Sequence, residues 1–303
     1  MITRDAQAFA RMAADCAADF GAATARAAFL VAPEGFARAE QSAQDNRYMA
    51  DGDGFDPARA LAQHRGLQRA LSEAVPTLCF AGREDTPDAV FPNNVFATAP
   101  GRCIVGRMRH EVRRREAARA DIRGFFAEVL GYREIDLSLQ PHPCELTGSL
   151  VIDRARGLGY CGLSERCDEA GAALMHRAFG LRATLMFDLA AGEYHANVVL
   201  AVLGGRAALI SPRGFADPAV AAAIAHIHAP HAIELEPGEH AAFAANAIAL
   251  GTDQVWMSQG AADSLRPASQ AALERAGLRL RAVPLDAIEA GGGSLRCCVG
   301  EIF

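Results

Sequence analysis

Apolar and polar positions alternate along this chain in short blocks rather than in long periods. Residues 1–26 are Ala-rich, and Phe9, Met12, Cys16 and Phe20 recur at roughly helical spacing, which predicts a helix. Phe29–Ala32 reads as a short buried strand ended by Pro33. Residues 34–54 are polar and dotted with Gly and Asp, which predicts an excursion over the surface. Residues 57–74 are helical again, and residues 76–80 are strand-like. Beyond them the strand-like runs are Ala89–Phe96, Cys103–Val105, Leu150–Ile152, Leu158–Cys161, Val198–Leu203, Ala207–Ile210, Ala247–Leu250 and Val255–Met257. Helical stretches at 111–130, 165–180, 217–228 and 264–276 separate pairs of them. The recurring unit is therefore two short strands, a helix and a further strand. No Ser-, Gly- or Pro-rich linker divides the chain, so the expectation is one domain built from several similar α/β units.

Composition narrows the class without naming the chemistry. Of 303 residues 51% are hydrophobic and 22% charged, enough for a sizeable core and too apolar for disorder. The net charge is -6 with both signs mixed, which does not suggest nucleic-acid binding. The arginine run Arg107, Arg109, Arg113, Arg114 and Arg115 is followed by Glu116 and Asp121, and for most of its members reads as a solvated helix face. No uncharged stretch predicts a membrane span, and the N-terminus lacks a signal-peptide pattern. The eight cysteines contain no CxxC, and His226, His228 and His231 lack nearby carboxylate or thiol partners before Glu234. No metal site is expected, and a reducing cytoplasmic setting fits.

Four polar segments stand at strand ends. Asp88-Ala89-Val90-Phe91-Pro92-Asn93-Asn94-Val95-Phe96 brackets an apolar run with a carboxylate and two amides. The others are Glu145-Leu146-Thr147-Gly148-Ser149, Tyr194-His195-Ala196-Asn197, and the tail Gly291-Gly292-Gly293-Ser294-Leu295-Arg296-Cys297-Cys298. Each has an ordinary structural reading: an Asx turn, an exposed loop Glu, a structural His, a Gly-rich turn before a buried Cys. Together they supply a thiol, a base, an acid and hydrogen-bond acceptors for a planar polar group. A cysteine nucleophile needs its thiolate and a proton shuttle to the leaving nitrogen. A carboxylate such as Asp88 matches the fork of a guanidino or ureido N–H pair.

These four segments, in this order, resemble the guanidine-modifying penteins: arginine and agmatine deiminases, dimethylarginine dimethylaminohydrolase, succinylarginine dihydrolase and glycine amidinotransferase. The closest likeness is to the arginine-deiminase-related group called citrulline utilization hydrolases. That group carries the patterns PDAVFPNNW, EGTGS, YHTNV and GGGSxRCM…EIF, matched here by Pro87–Val95, Glu145–Ser149, Tyr194–Val198 and Gly291–Phe303. The likeness spans about residues 28–303 and leaves residues 1–27 as an N-terminal helical extension. It implies an α/β fold, a five-bladed propeller with pseudo-fivefold symmetry. It further implies Cys297 as nucleophile, His195 as acid–base, Glu145 as its acidic partner and Asp88 as the carboxylate on the guanidino nitrogens. Arg107 and Arg166 fall where related enzymes hold a substrate α-carboxylate.

The chain departs from the family in several places. Asn197 replaces an Asp, Asn93 and Asn94 stand where dimethylarginine hydrolases use acids, Leu146 replaces a Gly and Val95 a Trp. Fewer carboxylates compensate a cationic guanidinium less well, which favours a neutral ureido or N-substituted group. The resemblance thus implies a cofactor-free, metal-free hydrolase of a small arginine- or citrulline-like amino acid, with Asn93, Asn94 and Asn197 among its binding groups. An amidinotransferase using the same residues, and a non-catalytic pentein acting as a binding module, are the alternatives. No nucleic-acid or membrane partner is expected, and a homodimer is compatible with the reading.

Overall fold

The computed structural model describes residues 1–303. Its strands form five small sheets. Each contains two short antiparallel strands and one parallel strand. Phe96–Ala99, Arg102–Val105 and Arg133–Asp136 form one sheet, and Leu150–Asp153, Leu158–Leu163 and Ala183–Asp188 the next. Leu200–Leu203, Ala207–Ile210 and Ala232–Glu234 form a third, and Ile248–Leu250, Gln254–Ser258 and Arg279–Val283 a fourth. The fifth joins the two ends of the chain. Ala27–Val31 pairs in parallel with Thr77–Phe80, and Gly300–Ile302 lies antiparallel to Ala27–Val31, with Gly300 opposite Phe29. The expected unit of two strands, a helix and a further strand is present in every sheet. The parallel strands at 133–136, 232–234 and 279–283 escaped the sequence reading because they are short or half-exposed, with no continuous apolar run; the buried strand at 183–188 was missed as well.

Five apolar cores lie between consecutive sheets. Phe29 and Val31 share one with Phe96 and Val105; Ile104 shares the next with Leu150 and Cys161. Tyr160 and Leu185 pack with Leu200 and Ile210, and Leu203 and Leu209 with Val255 and Met257. Ile248 and Trp256 then pack with Ala28 and Leu30, joining the last sheet to the first. Strands buried on both faces read as unbroken apolar runs, as these do. In each sheet helices link the antiparallel pair to the parallel strand. Glu169–Phe179 shows how they are bounded: Asp168 caps its start through Gly171 N, and Gly180 ends it at φ 68°.

Several expected elements are shorter or different. The helix in residues 1–26 ends early, running Ala6–Ala14, and Ile2–Thr3 adds a strand beside Ala183–Asp188. The supposed strand Ala89–Phe96 is a turn and the 3-10 segment Pro92–Asn94, with the strand starting at Phe96. The tail around Cys297 is one helical turn, Leu295–Cys298, before its strand. The segment 34–54 runs over the surface as expected, but it also sends Phe36, Ala39, Ser42 and Asn46 into buried positions. No helix is long and apolar enough to cross a membrane. No three His, Cys, Asp or Glu side chains gather as a metal site. His228 instead bonds the Tyr160 hydroxyl at 2.9 Å.

Candidate active site

The short turns that precede the first strand of each sheet carry the site. Asn94, Glu145, His195, Asn246 and Cys297 occupy them, and they follow one another at intervals of 50 or 51 residues. One structural unit thus delivers one polar side chain, five times over. Equivalent turns bring the residues together: Asn94 bonds Glu145, Glu145 bonds His195, and Asn246 bonds Cys297.

Glu145 is the electrostatic hub. Its Oε2 lies 2.9 Å from His195 Nε2, 3.2 Å from Asn94 Nδ2 and 3.4 Å from an Arg166 guanidinium nitrogen. Its Oε1 accepts the Arg109 N–H at 3.0 Å. Burial opposes its ionisation, but Arg166, His195 and Arg113 outweigh burial and hold it well below the usual carboxylate range. A buried carboxylate with four donors is a fixed anion, able to orient a ring and stabilise positive charge on it. His195 is 1% exposed, and burial holds its pKa below 6.5 despite Glu145. Leu146, in the turn after Glu145, adopts φ 24°. That conformation explains why a Gly is usual there.

Cys297 faces the same pocket. Its Sγ accepts Asn246 Nδ2–H at 3.2 Å and lies 3.7 Å from Asn197 Nδ2. Burial raises its thiol above 9, partly offset by these amides and by the Ser294 backbone contact. Cys298 packs into the apolar core, with its thiol toward Ser294 O at 3.5 Å, and does not line the pocket. Asp88 does line it. Its Oδ2 accepts the Ser42 hydroxyl at 2.6 Å, while Oδ1 has no partner. Burial pushes this carboxyl above its ordinary range, against the pull of Arg113 and Ser42.

Arg166 also lines the pocket, but its charge is already engaged. It meets Asp45 at 2.5 Å, Ser42 O at 3.0 Å and Glu145. Burial works against Asp45 ionising, yet His110 and Arg166 bring its pKa down to about 2. Three expected substrate-binding residues do not line the pocket, and of these Asn197 reaches only the Cys297 sulfur, at 3.7 Å. Arg107 turns to Ser138 O at 2.8 Å, held there because its backbone pairs with Cys144. Asn93 is buried beside Thr147, with its amide unpartnered and outside the pocket.

The site also contains residues the sequence reading missed. Arg113 is not a solvated arginine: it is 3% exposed, paired with Glu116, bonded to Phe91 O, and lines the pocket. Ser42, Asn46 and Met49 come from the 34–54 segment and line the pocket. Asn46 bonds Gly292 O, and Ala50 N–H bonds Ala290 O. Gly292 sits at φ 77°, and any Cβ there would lie 2.3 Å from Asn46 Nδ2. The only available signal for Asn246 was its interval from Cys297, since its Ala-rich surroundings carry no motif. The pocket is small, about 20 Å³. That is room for about one water and far below a usual ligand site.

No curated protein sequence matches the chain. Its fold is that of the arginine dihydrolase ArgZ of cyanobacteria, solved bound to substrate as an N-terminal domain. The match is 20% identical with TM-score 0.79, covering 91% of this chain and 97% of that one. AgrE, solved with ornithine and NAD+, matches at 20% identity and TM-score 0.79, over 91% of this chain and 39% of its own. A dimethylarginine dimethylaminohydrolase carrying an S-methyl-L-thiocitrulline adduct matches at 20% identity and TM-score 0.69, over 92% of this chain and 100% of its own. The family model for eukaryotic N,N dimethylarginine dimethylhydrolase matches residues 32–303. The chain therefore belongs to the dimethylarginine dimethylhydrolase family of the penteins, hydrolases of amidino carbon–nitrogen bonds.

Proposed function

We propose that the chain hydrolyses the guanidino or ureido group of a small arginine- or citrulline-like amino acid through a covalent Cys297 adduct. The observation that carries this reading is the shared pocket of Cys297, His195 and Asp88, with Glu145 fixed behind the ring. A thiol, a base with its orienting anion, and a partly unsatisfied carboxylate are the set that such chemistry requires. ArgZ has been solved covalently bonded to a reaction intermediate, which supports the same course.

In this reading Asp88 Oδ1 accepts substrate N–H groups. The Cys297 thiol gives its proton to His195, its sulfur attacks the central carbon, and the C–N bond to the leaving nitrogen breaks as His195 passes that proton to the nitrogen. Ammonia or an amine departs. His195 then takes a proton from water, the oxygen attacks the same carbon, and the C–S bond breaks to return the thiolate. Asn94 lines the pocket as a neutral partner, and Asn197 stands as a second neutral amide beside the Cys297 sulfur. Arg166 is the cation that a substrate α-carboxylate would reach, displacing or sharing Asp45. The same reading makes residues 28–303 a single catalytic domain, a five-bladed propeller. Five sheets, five cores between them and the interval of 50 or 51 residues support that architecture.

The deciding experiment incubates the protein with arginine, methylated arginines, agmatine and citrulline, and measures released ammonia or amine. Turnover of at least one, abolished in Cys297→Ser, is the expected result. Turnover that survives Cys297→Ser would overturn the reading.

A further inference from the structure

Asn246 has no part in the reaction just described, yet its side chain is spent almost wholly on the nucleophile. It is fully buried. Its Oδ1 accepts the Cys297 N–H at 3.3 Å, and its Nδ2 donates to the Cys297 sulfur at 3.2 Å. The other Nδ2 hydrogen goes to Asn197 O at 3.0 Å, which fixes the plane of the amide. Its backbone carbonyl accepts Arg296 N–H at 3.2 Å.

We infer that Asn246 is a further catalytic residue, whose Nδ2–H holds the Cys297 sulfur in position and stabilises negative charge on it. This rests on the reading of Cys297 as nucleophile. The charged and titratable groups around the sulfur leave that task to an amide. His195, Asp88, Tyr194, Arg113 and Arg166 share the pocket, and Arg296 and Cys298 flank Cys297 in the chain. Both pocket arginines are engaged, Arg113 by Glu116 and Arg166 by Asp45 and Glu145. Arg296 is turned to Val299 O and Glu301. Asn197 is more distant at 3.7 Å. Asn246 is thus the shortest donor on the sulfur. A hydrogen bond to a charged group is stronger than one to a neutral group. The bond therefore strengthens as the thiolate forms, and again when the thiolate is expelled from the adduct. Its place in the fold agrees, since Asn246 is the fourth of the five equivalent turn residues.

The test reads Cys297 directly, without turnover. Iodoacetamide labels the full-length protein at pH 8, and mass spectrometry of the tail peptide gives the Cys297 rate in a Cys298→Ser background. Loss of a donor to a thiolate lowers its population at fixed pH by roughly 10- to 100-fold. Asn246→Ala and Asn246→Asp are expected to slow labelling by that factor while leaving the thermal transition cooperative. Slower access does not explain the Ala result, because Ala enlarges the space beside the sulfur. Unchanged labelling in either folded variant overturns the inference. A measurement on the unsubstituted protein covers the case in which neither variant folds. The Asn246 side-chain amide resonance must then shift with the Cys297 titration, and an invariant resonance overturns the inference as well. If Cys297→Ser retains turnover, the nucleophile assignment fails instead, a result separate from either of these.

Discussion

His195 Nε2 and Glu145 Oε2 lie 2.9 Å apart at almost zero exposure, although 50 residues separate them in the chain. The contact joins equivalent turns of successive structural units, and Glu145 is held further by Asn94, the Arg109 N–H and Arg166. In the proposed reaction this contact keeps the His195 ring in one orientation through both halves. Glu145→Gln keeps the shape and removes the charge that stabilises imidazolium. We expect kcat/KM to fall about 100-fold or more, at the lower end of general acid–base contributions. Steady-state kinetics on the best substrate checks this, with circular dichroism confirming the fold.

The two terminal cysteines should separate cleanly. Cys297→Ser is expected to abolish turnover and labelling by a haloacetamidine, whereas Cys298→Ser retains both. The reason is placement, because only Cys297 lines the pocket. Alternation along a strand does not supply it, since the tail is a helical turn at that point. Loss of activity only in Cys298→Ser would reverse the assignment.

Burial raises the Cys297 thiol above 9 and holds His195 below 6.5. Between those limits the ligand-free protein holds a neutral thiol and a neutral imidazole. The thiolate fraction therefore grows as pH rises, and iodoacetamide labelling of Cys297 should keep climbing through pH 9. A resting thiolate–imidazolium pair would instead give a plateau from near neutrality. A cationic substrate favours the thiolate. Arginine-type substrates should therefore sustain kcat at lower pH than neutral ureido ones, a difference that paired pH–rate profiles measure.

Asp88 is the pocket carboxylate with a free oxygen. Asp88→Asn removes a charge-assisted acceptor, worth about 1.5–3 kcal/mol for a cationic partner. Arginine binding to the Cys297→Ser protein should weaken by roughly 10- to 100-fold. Citrulline binding should change much less. Because Asn94 and Asn197 are neutral, citrulline is also expected to bind appreciably to the Asp88 protein. Calorimetry of the four combinations decides, and tight arginine binding with undetectable citrulline binding would show that the amides do not set the charge preference.

Gly292→Ala places a methyl group 2.3 Å from Asn46 Nδ2 at a positive φ. The strain falls on the contact between the pocket floor and the segment 34–54. A pocket of about 20 Å³ must enlarge to take an amino-acid side chain, and that segment supplies part of its wall. We expect the substitution to raise KM several-fold and to speed amide exchange across residues 42–50, relative to the rest of the chain. Unchanged exchange there would show that the segment is fastened by its other contacts.

The sequence by itself determined the repeating unit of two strands, a helix and a further strand. Strands buried on both faces are unbroken apolar runs, and glycines and prolines mark their ends. It also determined the four polar motifs, because residues such as Glu145, His195 and Cys297 interrupt otherwise apolar contexts. Only the tertiary structure decided what those motifs meet. Arg107 and Arg113 belong to one basic run, yet backbone pairing with Cys144 turns Arg107 away while Arg113 is buried against Phe91 O and Glu116. Segment 34–54 reads as polar surface. Its Ser42, Asp45 and Asn46 are nevertheless satisfied by Asp88, Arg166 and Gly292, partners that no local pattern reveals. Asn246 lies among alanines, and beyond its 51-residue interval from Cys297 only its bond to that sulfur shows its place in the site. Local periodicity reports which face of an element is buried. The partner of a buried polar group is set by how distant units pack, and it is that packing which assembles this site.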